Sequence, residues 1–223
     1  MAGRQARVRA GCEAVSREVR ASGRVRRAVN LDVVVGDDGL ARCSWAAQTA
    51  EYRGYHDLEW GRPLRDDRSL FERLCLESFQ SGLSWSTVLR KRDAFREAFD
   101  SFEPARVADY GPPEIERLLA DARIIRHRGK IEATIANADA LLRLWDRDGE
   151  GALTALLEVA AADPARQGRP ARLSDVPSST PGSARLAREL KARGFRFLGP
   201  TTLYAALQAT GFVDDHVEGC HCA

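Results

Sequence analysis

The sequence lacks a long apolar run, and this excludes a membrane-spanning helix and a secretory signal peptide. The nearest approach near the start of the chain, Val33–Val35, is far too short for either. Cysteine is also scarce. Five cysteines without a signal peptide indicate a reducing compartment, where thiols stay free to bind metal instead of forming disulfides. We therefore expect a cytoplasmic protein without membrane contact.

An excess of positive or negative charge is also missing. The net charge is +2, so the overall charge does not argue for a polyanionic partner. The basic residues instead form two local patches, one of Arg123, Arg126, Arg128 and Lys130 and the other of Arg185, Arg188, Lys191, Arg193 and Arg196. Arginine-rich runs are often only the solvated face of a helix, so each patch alone is weak evidence for nucleic-acid binding.

Apolar residues at helical spacing dominate the chain from residue 66 onward. Asp67 is expected to cap the first of these helices, and Gly82 separates it from the second. The hydrophobic content of 44% is enough to bury a core. The predicted fold is all-α, with residues 1–35 as a poorly ordered Arg-rich extension and residues 36–223 as a single domain.

The C-terminal part of the chain has the clearest local organisation. An amphipathic helix is stopped by Gly194, and Pro200 begins a second helix that ends at Gly211. The short connection can present backbone N–H groups and a helix N-terminus to a phosphate, with Arg193 and Arg196 beside it. An ordinary turn of a helical bundle explains the segment about equally well.

Cysteine and histidine residues near the two ends of the chain offer one set of metal ligands. Cys43 and His56 lie near the start, and His216 and Cys220 lie near the end. Two thiolates and two imidazoles suit a closed tetrahedral Zn²⁺ site that holds a fold together. Scattered His and Cys residues are more often core or surface residues, and only the tertiary fold can bring these four together. Cys222 is an alternative to Cys220.

Five blocks of the sequence carry a family pattern. They are RCSW at 42–45, YHDLEWG at 55–61, LESFQSGLSW at 76–85, IRHRGKI at 125–131 and DHVEGC at 215–220. In this order and spacing they resemble the bacterial 3-methyladenine DNA glycosylase I family over roughly residues 40–222. Five ordered blocks are far more specific than any one of them.

The resemblance implies a helix-hairpin-helix DNA glycosylase with a structural Zn²⁺ held by Cys43, His56, His216 and Cys220. The implied catalytic residues are Glu77 and Tyr55, and the implied base pocket adds Trp45, Tyr52, Trp60 and Trp85. Gly82 and Leu83 resemble the element that the family inserts into DNA. The expected DNA contacts are Arg126, Arg128, Lys130, Arg193, Arg196 and Gly199. We expect a nucleoid-associated monomer that binds alkylated double-stranded DNA.

The chemistry of such a substrate fits these residue types. N3-methyladenine in DNA is cationic, so electron-rich aromatic walls attract it by roughly 0.5–2 kcal/mol where water is excluded. An ionised Glu77 favours a positive base over a neutral one. Because the methylated base leaves as a neutral molecule, little acid assistance is needed. The only lysines are Lys91, Lys130 and Lys191, outside the segment around residues 199–201, so we expect monofunctional hydrolysis without a lyase step.

Two other functions are compatible with parts of the pattern. A zinc-stabilised DNA-binding module would bind alkylated DNA and release nothing. A catalytic zinc hydrolase would need an open coordination position, which four protein ligands do not leave. Ser78 and Phe79 replace the smaller or more polar residues often seen after the pocket glutamate of the family, so the breadth of lesion specificity stays open.

Overall fold

The computed structural model describes residues 32–162 and 168–222, and the predicted all-α class is confirmed. The helices of these residues are α1 (Ala50–Leu58), α2 (Asp67–Gln80), α3 (Trp85–Ala98), α4 (Pro104–Ala108), α5 (Pro112–Ala120), α6 (Arg128–Asp148), α7 (Ala152–Ala161), α8 (Pro181–Ala192) and α9 (Pro200–Ala209). Short 3-10 segments lie at Ser44–Ala47, Asp100–Phe102 and Leu173–Asp175. None of the described helices is long and apolar enough to cross a membrane.

A small antiparallel sheet precedes the helices. Strand β1 (Val33–Val35) pairs with β2 (Ala41–Cys43), and Val33 lies opposite Cys43. The extension predicted to end at residue 35 therefore includes an ordered strand, which is a correction. Backbone pairing with β2 fixes this segment, which is too short for apolar alternation to reveal it as a strand. Residues 1–31, the rest of the predicted extension, lie outside the described residues.

Helix α2 lies at the centre of the hydrophobic core and packs against α3, α6, α7 and α9. Its residues Leu70 and Phe71 are buried, as helical spacing predicts. Near the end of α2, Phe79 joins a cluster of rings with Phe95 and Phe99 of the following helix and its C-cap. Complete burial of one such side chain contributes about 1.5–3 kcal/mol. This packing fixes α2 as the frame on which the site is built.

Two adjacent aspartates at the start of α2 have different tasks. Asp66 caps α2, because its carboxylate accepts a hydrogen bond from the Ser69 amide at 2.9 Å. Asp67, which was predicted to be the cap, instead accepts hydrogen bonds from the Leu153 and Thr154 amides at the start of α7. Burial alone would raise the pKa of Asp67, but its hydrogen bonds outweigh burial and lower it. The Asp67 carboxylate therefore ties α2 to α7.

Helices α8 and α9 form the predicted pair, joined by residues 193–199. Gly194 has a φ of +98°, a left-handed conformation that only glycine adopts without strain. Asn137 of α6 clamps the connection, since its side-chain oxygen accepts from the Arg196 amide at 2.6 Å and its side-chain amide donates to the Arg196 carbonyl at 3.1 Å. Helix α6 thus sets the conformation of the connection.

Candidate functional site

A cavity of about 260 Å³ opens where α1, α2, α3 and α9 meet. Its lining consists of Trp45, Gln48, Tyr52, Tyr55, Trp60, Glu77, Gln80, Trp85, Ala205 and Gln208. We call this space the aromatic cavity. All six residues that the sequence predicted for the catalytic centre and the base pocket lie in its wall.

Helical spacing explains how single elements contribute several side chains to the wall. Tyr52 and Tyr55 are three residues apart and share one face of α1. Ala205 and Gln208 have the same spacing on α9. Trp85 is the first residue of α3, directly after the tip that separates it from α2. The lining residues of α2, α3 and α9 are therefore anchored in helices that also contribute to the core, whereas Trp45 lies in a 3-10 segment and Trp60 follows the end of α1.

Sequence reasoning missed four lining residues, Gln48, Gln80, Ala205 and Gln208. Gln80 lies three residues after Glu77 on α2, and this spacing is a signal that could have identified it. Gln48 follows the 3-10 segment that carries Trp45 and is a weaker signal of the same kind. The two residues on α9 lie far along the chain from the others, and only the packing of α9 on α2 brings them to the cavity.

The rings in the wall support one another in tilted and edge-to-face arrangements. The Trp45 centroid lies 5.1 Å from that of Trp60 and 5.9 Å from that of Tyr52, with interplanar angles of 76° and 81°. The Tyr55 and Trp85 centroids are 5.4 Å apart. Such pairs contribute about 0.5–1.5 kcal/mol beyond the burial of their area. The aromatic cavity thus has fixed, electron-rich walls.

Glu77 is the one charged residue in this lining, and its side chain is buried. Its carboxylate has no hydrogen-bond partner within the described residues. Burial raises the pKa of Glu77 to about 7, although the positive charge of Arg73, one turn earlier on α2, opposes the rise. Above that pH the cavity contains an unpaired anion, which favours a cationic guest over a neutral one.

The two tyrosine hydroxyl groups in the wall have different partners. Tyr52 Oη accepts a hydrogen bond from the Ser86 amide near the start of α3 at 2.9 Å. Tyr55 Oη accepts one from Arg73 Nη1 at 3.0 Å. Burial raises the pKa of Tyr55, so the phenol keeps its proton at neutral pH. Sequence reasoning did not single out Arg73 at all.

The predicted metal ligands converge beside the aromatic cavity. The ligand atoms of His56, His216, Cys220 and Cys222 all lie within 4.8 Å of one another. Cys43 is not in that set, but it is buried against Cys220. A hydrogen bond from the Cys43 thiol lowers the pKa of Cys220. Three of the four predicted ligands are therefore together, and Cys43 and Cys222 are two candidates for the fourth position.

Both imidazoles are oriented in the way that metal sites require. His56 Nδ1 lies 2.8 Å from the Asp57 carboxylate, and His216 Nδ1 lies 3.0 Å from the Asp214 carboxylate. His56 Nε2 is 3.4 Å from Cys220 Sγ, and His216 Nε2 is buried without a hydrogen-bond partner. A carboxylate behind each ligating imidazole is the usual support of a zinc site, so these donors fit Zn²⁺.

The metal-ligand cluster and the aromatic cavity share a wall at Trp60. The indole centroid lies 4.6 Å from the His216 ring and 6.4 Å from the His56 ring. The next residue, Gly61, has a φ of +76°, and a Cβ atom there would lie 2.6 Å from Cε1 of His216. Glycine at this position therefore permits the close approach of His216 to the wall.

The tip between α2 and α3, which the sequence predicts as a DNA wedge, is an exposed turn. Gly82 has a φ of +83°, and a Cβ atom there would meet no neighbour. The Leu83 side chain is 44% exposed, which is unusual for leucine in this protein, where most leucines are buried. An apolar side chain is thus displayed on a tight turn directly before Trp85.

The four arginines predicted to contact DNA differ in availability. Arg126 and Arg196 are exposed and form no ion pair among the described residues. Arg128 pairs with Glu116 at 2.6 Å, and Arg193 pairs with Glu189 at 2.5 Å. A phosphate would have to compete with these carboxylates. Gly199 is the N-cap of α9, so it lies at a helix N-terminus, and its contact with DNA stays a prediction.

Lys130 is not available for DNA, so the prediction for this residue is wrong. Its ammonium group donates hydrogen bonds to the Phe79 carbonyl at 2.9 Å and the Ser81 carbonyl at 2.6 Å. The side chain is buried. These carbonyls lie at the end of α2, where the helix leaves its last acceptors without partners. Lys130 therefore closes α2 and joins it to α6.

Comparisons with known proteins agree on one family. The model of the methyladenine glycosylase family matches residues 45–223. DNA-3-methyladenine glycosylase 1 of Escherichia coli (strain K12) is 45% identical over 183 residues, which cover 82% of this chain and 97% of that protein. A crystal structure of 3-methyladenine DNA glycosylase I has a TM-score of 0.76 at 46% identity and covers 81% of this chain and 98% of its own. A tyrosine-to-phenylalanine variant of such an enzyme in complex with 3-methyladenine has a TM-score of 0.74 at 34% identity, covering 81% of this chain and 96% of its own.

Proposed function

The chain belongs to the methyladenine glycosylase family, and we propose that it releases 3-methyladenine from alkylated DNA by hydrolysing the N-glycosidic bond. The observation that carries the proposal is the aromatic cavity with Glu77 as its one charged lining residue. A solved relative at 34% identity is a 3-methyladenine complex, which supports the same ligand here. The activity is a base-excision step of DNA repair.

Recognition follows from charge. The flipped 3-methyladenine is cationic, so it is attracted by the indole and phenol rings and by the Glu77 carboxylate. Ordinary adenine has no positive charge and gains only stacking. A hydrogen bond between the base and a charged carboxylate is worth about 1.5–3 kcal/mol, which corresponds to roughly one to two powers of ten in affinity. Burial of Glu77 increases this preference, because water does not screen the two charges.

Bond cleavage needs little help from an acid. The bond between C1′ and the base breaks with its electron pair moving to the base, which leaves as neutral 3-methyladenine. Water adds its oxygen to C1′ of the oxocarbenium-like sugar and loses a proton to solvent. Glu77 and Tyr55 hold the base, and the rest of the catalysis is positioning and electrostatic stabilisation.

Among the described residues, no amine near the cavity is suited to a lyase step. Lys130 is buried against two carbonyl groups, and the Lys91 ammonium donates to the Ala122 and Arg123 carbonyls. Lys191, the remaining lysine, lies on α8 and is not part of the cavity wall. This distribution supports monofunctional hydrolysis.

Access to the base requires that it leaves the duplex. Leu83 and Gly82 are the proposed wedge, since an apolar side chain on a tight turn can fill the space that the base vacates. Arg126 and Arg196, with the N-terminus of α9 at Gly199, are the proposed phosphate contacts. The proposed partner is thus a DNA duplex that contains alkylated bases.

The proposed cofactor is one structural Zn²⁺. His56, His216 and Cys220 would hold it, with Cys43 or Cys222 as the fourth ligand. The ion would cross-link segments near the two ends of the described chain and supply no reactive group. The buried His216 Nε2 without a partner supports this assignment.

The test of the proposal is base release from methylated DNA, with liberated bases identified by mass spectrometry. Purified protein is expected to release 3-methyladenine. Glu77→Gln is expected to lower the single-turnover rate about 10- to 100-fold, because it loses a charged hydrogen bond. Glu72→Gln is the matched control, since Glu72 lies on the same helix but pairs with Arg96 outside the aromatic cavity.

Binding of alkylated DNA without release of any base would contradict the proposal and favour a DNA-binding module without activity. An unchanged rate in Glu77→Gln would remove Glu77 from the mechanism while leaving the activity in place.

A further inference from the structure

Arg73 lines a second cavity of about 280 Å³ and also contacts rings that line the aromatic cavity. The Arg73 side chain is only 11% exposed, and it lines the second cavity together with Glu59, Glu72 and Arg96. Its guanidinium carbon lies 5.5 Å from the Tyr55 ring centroid and 5.1 Å from the Trp85 centroid. A buried cation therefore contacts two rings that wall the aromatic cavity.

The hydrogen bond between Arg73 and Tyr55 has only one possible direction. A guanidinium group donates and cannot accept, so Tyr55 Oη is the acceptor at 3.0 Å. The phenol proton must then point away from Arg73, and no described residue accepts it. Tyr55 also lines the aromatic cavity, so we take a ligand in that cavity as the acceptor of this proton.

The charged group that acts on Glu77 lies on its own helix, and the other elements around the cavity present neutral side chains. Arg73 lies one helical turn before it on α2, and this positive charge opposes the effect of burial on Glu77. Glu59 approaches Arg73 at 4.0 Å but is ion-paired with Arg92 of α3. The side chains that face Glu77 across the cavity from the other elements are neutral, namely Trp45, Gln48, Tyr52, Tyr55, Trp60, Trp85, Ala205 and Gln208.

We propose that Arg73 is a positioning residue of the base pocket, which holds the Tyr55 phenol with its proton directed into the cavity and favours the anionic form of Glu77. The identity of the base rests on the proposed function, but the contacts of Arg73 do not. The guanidinium group contacts two rings of the wall but is not part of the cavity lining, so the cation supports the wall without occupying the space of a cationic base.

Two substitutions separate the charge of Arg73 from its size. Arg73→Met keeps most of the length of the side chain but removes its charge and its hydrogen-bond donors. Arg73→Lys keeps a positive charge and can still donate a hydrogen bond. Single-turnover release of 3-methyladenine is measured from about pH 5.5 to about pH 8.5. For Arg73→Met we expect a rate about 10-fold lower near neutrality and a midpoint of the acidic limb displaced upward by about one pH unit. For Arg73→Lys we expect a midpoint close to that of the wild type.

Arg96→Met is the matched control, because Arg96 lines the same second cavity and pairs with Glu72 but does not contact Tyr55 or Trp85. It is expected to leave rate and midpoint unchanged. A wild-type rate and midpoint in Arg73→Met would overturn the proposal.

A double-mutant cycle with Tyr55→Phe tests whether Arg73 acts through the phenol. If it does, Arg73→Met lowers the rate several-fold less in the phenylalanine background than in the wild type, because the hydroxyl that it positions is already absent. Equal effects in the two backgrounds would show that Arg73 does not act through Tyr55.

A readout that needs no substrate separates this proposal from the proposed function. The carboxyl carbon of Glu77 is titrated by ¹³C NMR in the free protein, and its midpoint is expected to rise in Arg73→Met. An unchanged midpoint would refute the charge effect. A shifted midpoint in a protein that releases no 3-methyladenine would refute the proposed function alone. If Arg73→Met does not fold, Arg73→Gln gives the same comparison, because it also lacks the charge.

Discussion

The buried carboxylate of Glu77 has opposite effects on stability and on binding. Folding removes it from water without a hydrogen bond in return, and this raises its pKa to about 7. The same isolation makes it a strong attractor for a cationic base. A residue that serves only the fold would have acquired a partner, as the carboxylate of Asp67 has. Glu77 is therefore placed for a ligand at the expense of the unbound protein.

This isolation predicts how stability depends on pH. The Glu77 pKa is 4.5 in its ordinary state and about 7 when folded, so the folded protein binds the proton more tightly. The favourable contribution is complete below the unfolded pKa and is lost as the pH rises through about 7, up to about 3 kcal/mol. Glu77→Gln is expected to remove this dependence, so its Tm relative to wild type rises between about pH 5 and about pH 8.

Thermal unfolding of both proteins at several pH values checks this. Glu72→Gln serves again as the control and is expected to follow the wild type. A constant difference in Tm between Glu77→Gln and wild type across the range would argue against a raised pKa for Glu77.

Helix α2, which carries Glu77, is held at both ends by hydrogen bonds to charged side chains. Asp66 caps its start, and Lys130 of α6 closes its end by donating to the Phe79 and Ser81 carbonyls. Asp67 joins the start of α2 to α7. Glu77 therefore projects from a helix that cannot shift along its axis without breaking charged hydrogen bonds.

The two adjacent aspartates give a prediction at this scale. Asp67→Asn is expected to lower the free energy of unfolding by about 2–4 kcal/mol at neutral pH, because an amide group would face N–H donors that need an acceptor. Asp66→Asn is expected to change it by only a few tenths of a kcal/mol, because asparagine is an equally good cap. Since the folded pKa of Asp67 is lowered, its contribution is present above the unfolded pKa and is lost as the pH falls through the folded value.

Denaturant unfolding of the two variants and the wild type near neutral pH measures both effects. Equal losses of stability in Asp66→Asn and Asp67→Asn would contradict the different tasks assigned to these residues.

Local patterns in the sequence predicted much of the site, because most of its wall comes from residues close together in the chain. Tyr52, Tyr55 and Trp60 fall in one short stretch, and Glu77 and Trp85 fall in another. The contribution of Gln208 could not be predicted in this way, since it depends on the packing of α9 against α2. Lys130 was misassigned because a lysine in a basic run gives no sign that its ammonium group is buried.

At the scale of the whole molecule, segments from the two ends of the described chain meet beside the site. The His221 amide donates to the Ala41 carbonyl of β2 at 2.6 Å, and Cys220 packs against Cys43. No helix of the core contributes the thiols of this cluster. The few apolar residues there are a small core of their own, so a metal ion is the expected source of most of its stability.

Metal removal tests this arrangement. Cys220→Ala is expected to lower bound zinc to well below one ion per chain and to lower Tm strongly, because a structural ion contributes folding free energy directly. Cys75→Ala is the matched control, since Cys75 is buried in the main core, away from the cluster. This variant is expected to keep its zinc. Metal content is measured by mass spectrometry, and full zinc occupancy in Cys220→Ala would remove Cys220 from the ligand set.

The fourth ligand is decided by the same measurement on Cys43→Ser and Cys222→Ser. Only the variant that lacks the true ligand is expected to lose zinc. Loss of zinc in neither variant would mean that the site does not use a second thiolate.

Trp60 couples the occupancy of the metal site to the recognition of the damaged base. Its indole packs against the His216 ring, lies near the His56 ring and is part of the surface that would contact the damaged base. If Zn²⁺ is bound as proposed, a chelator or an oxidant of the thiols would remove the packing support of the Trp60 indole. The exposed arginines could still bind the phosphates of DNA. Loss of the ion would then weaken the selectivity for methylated adenine more than it weakens the binding of DNA.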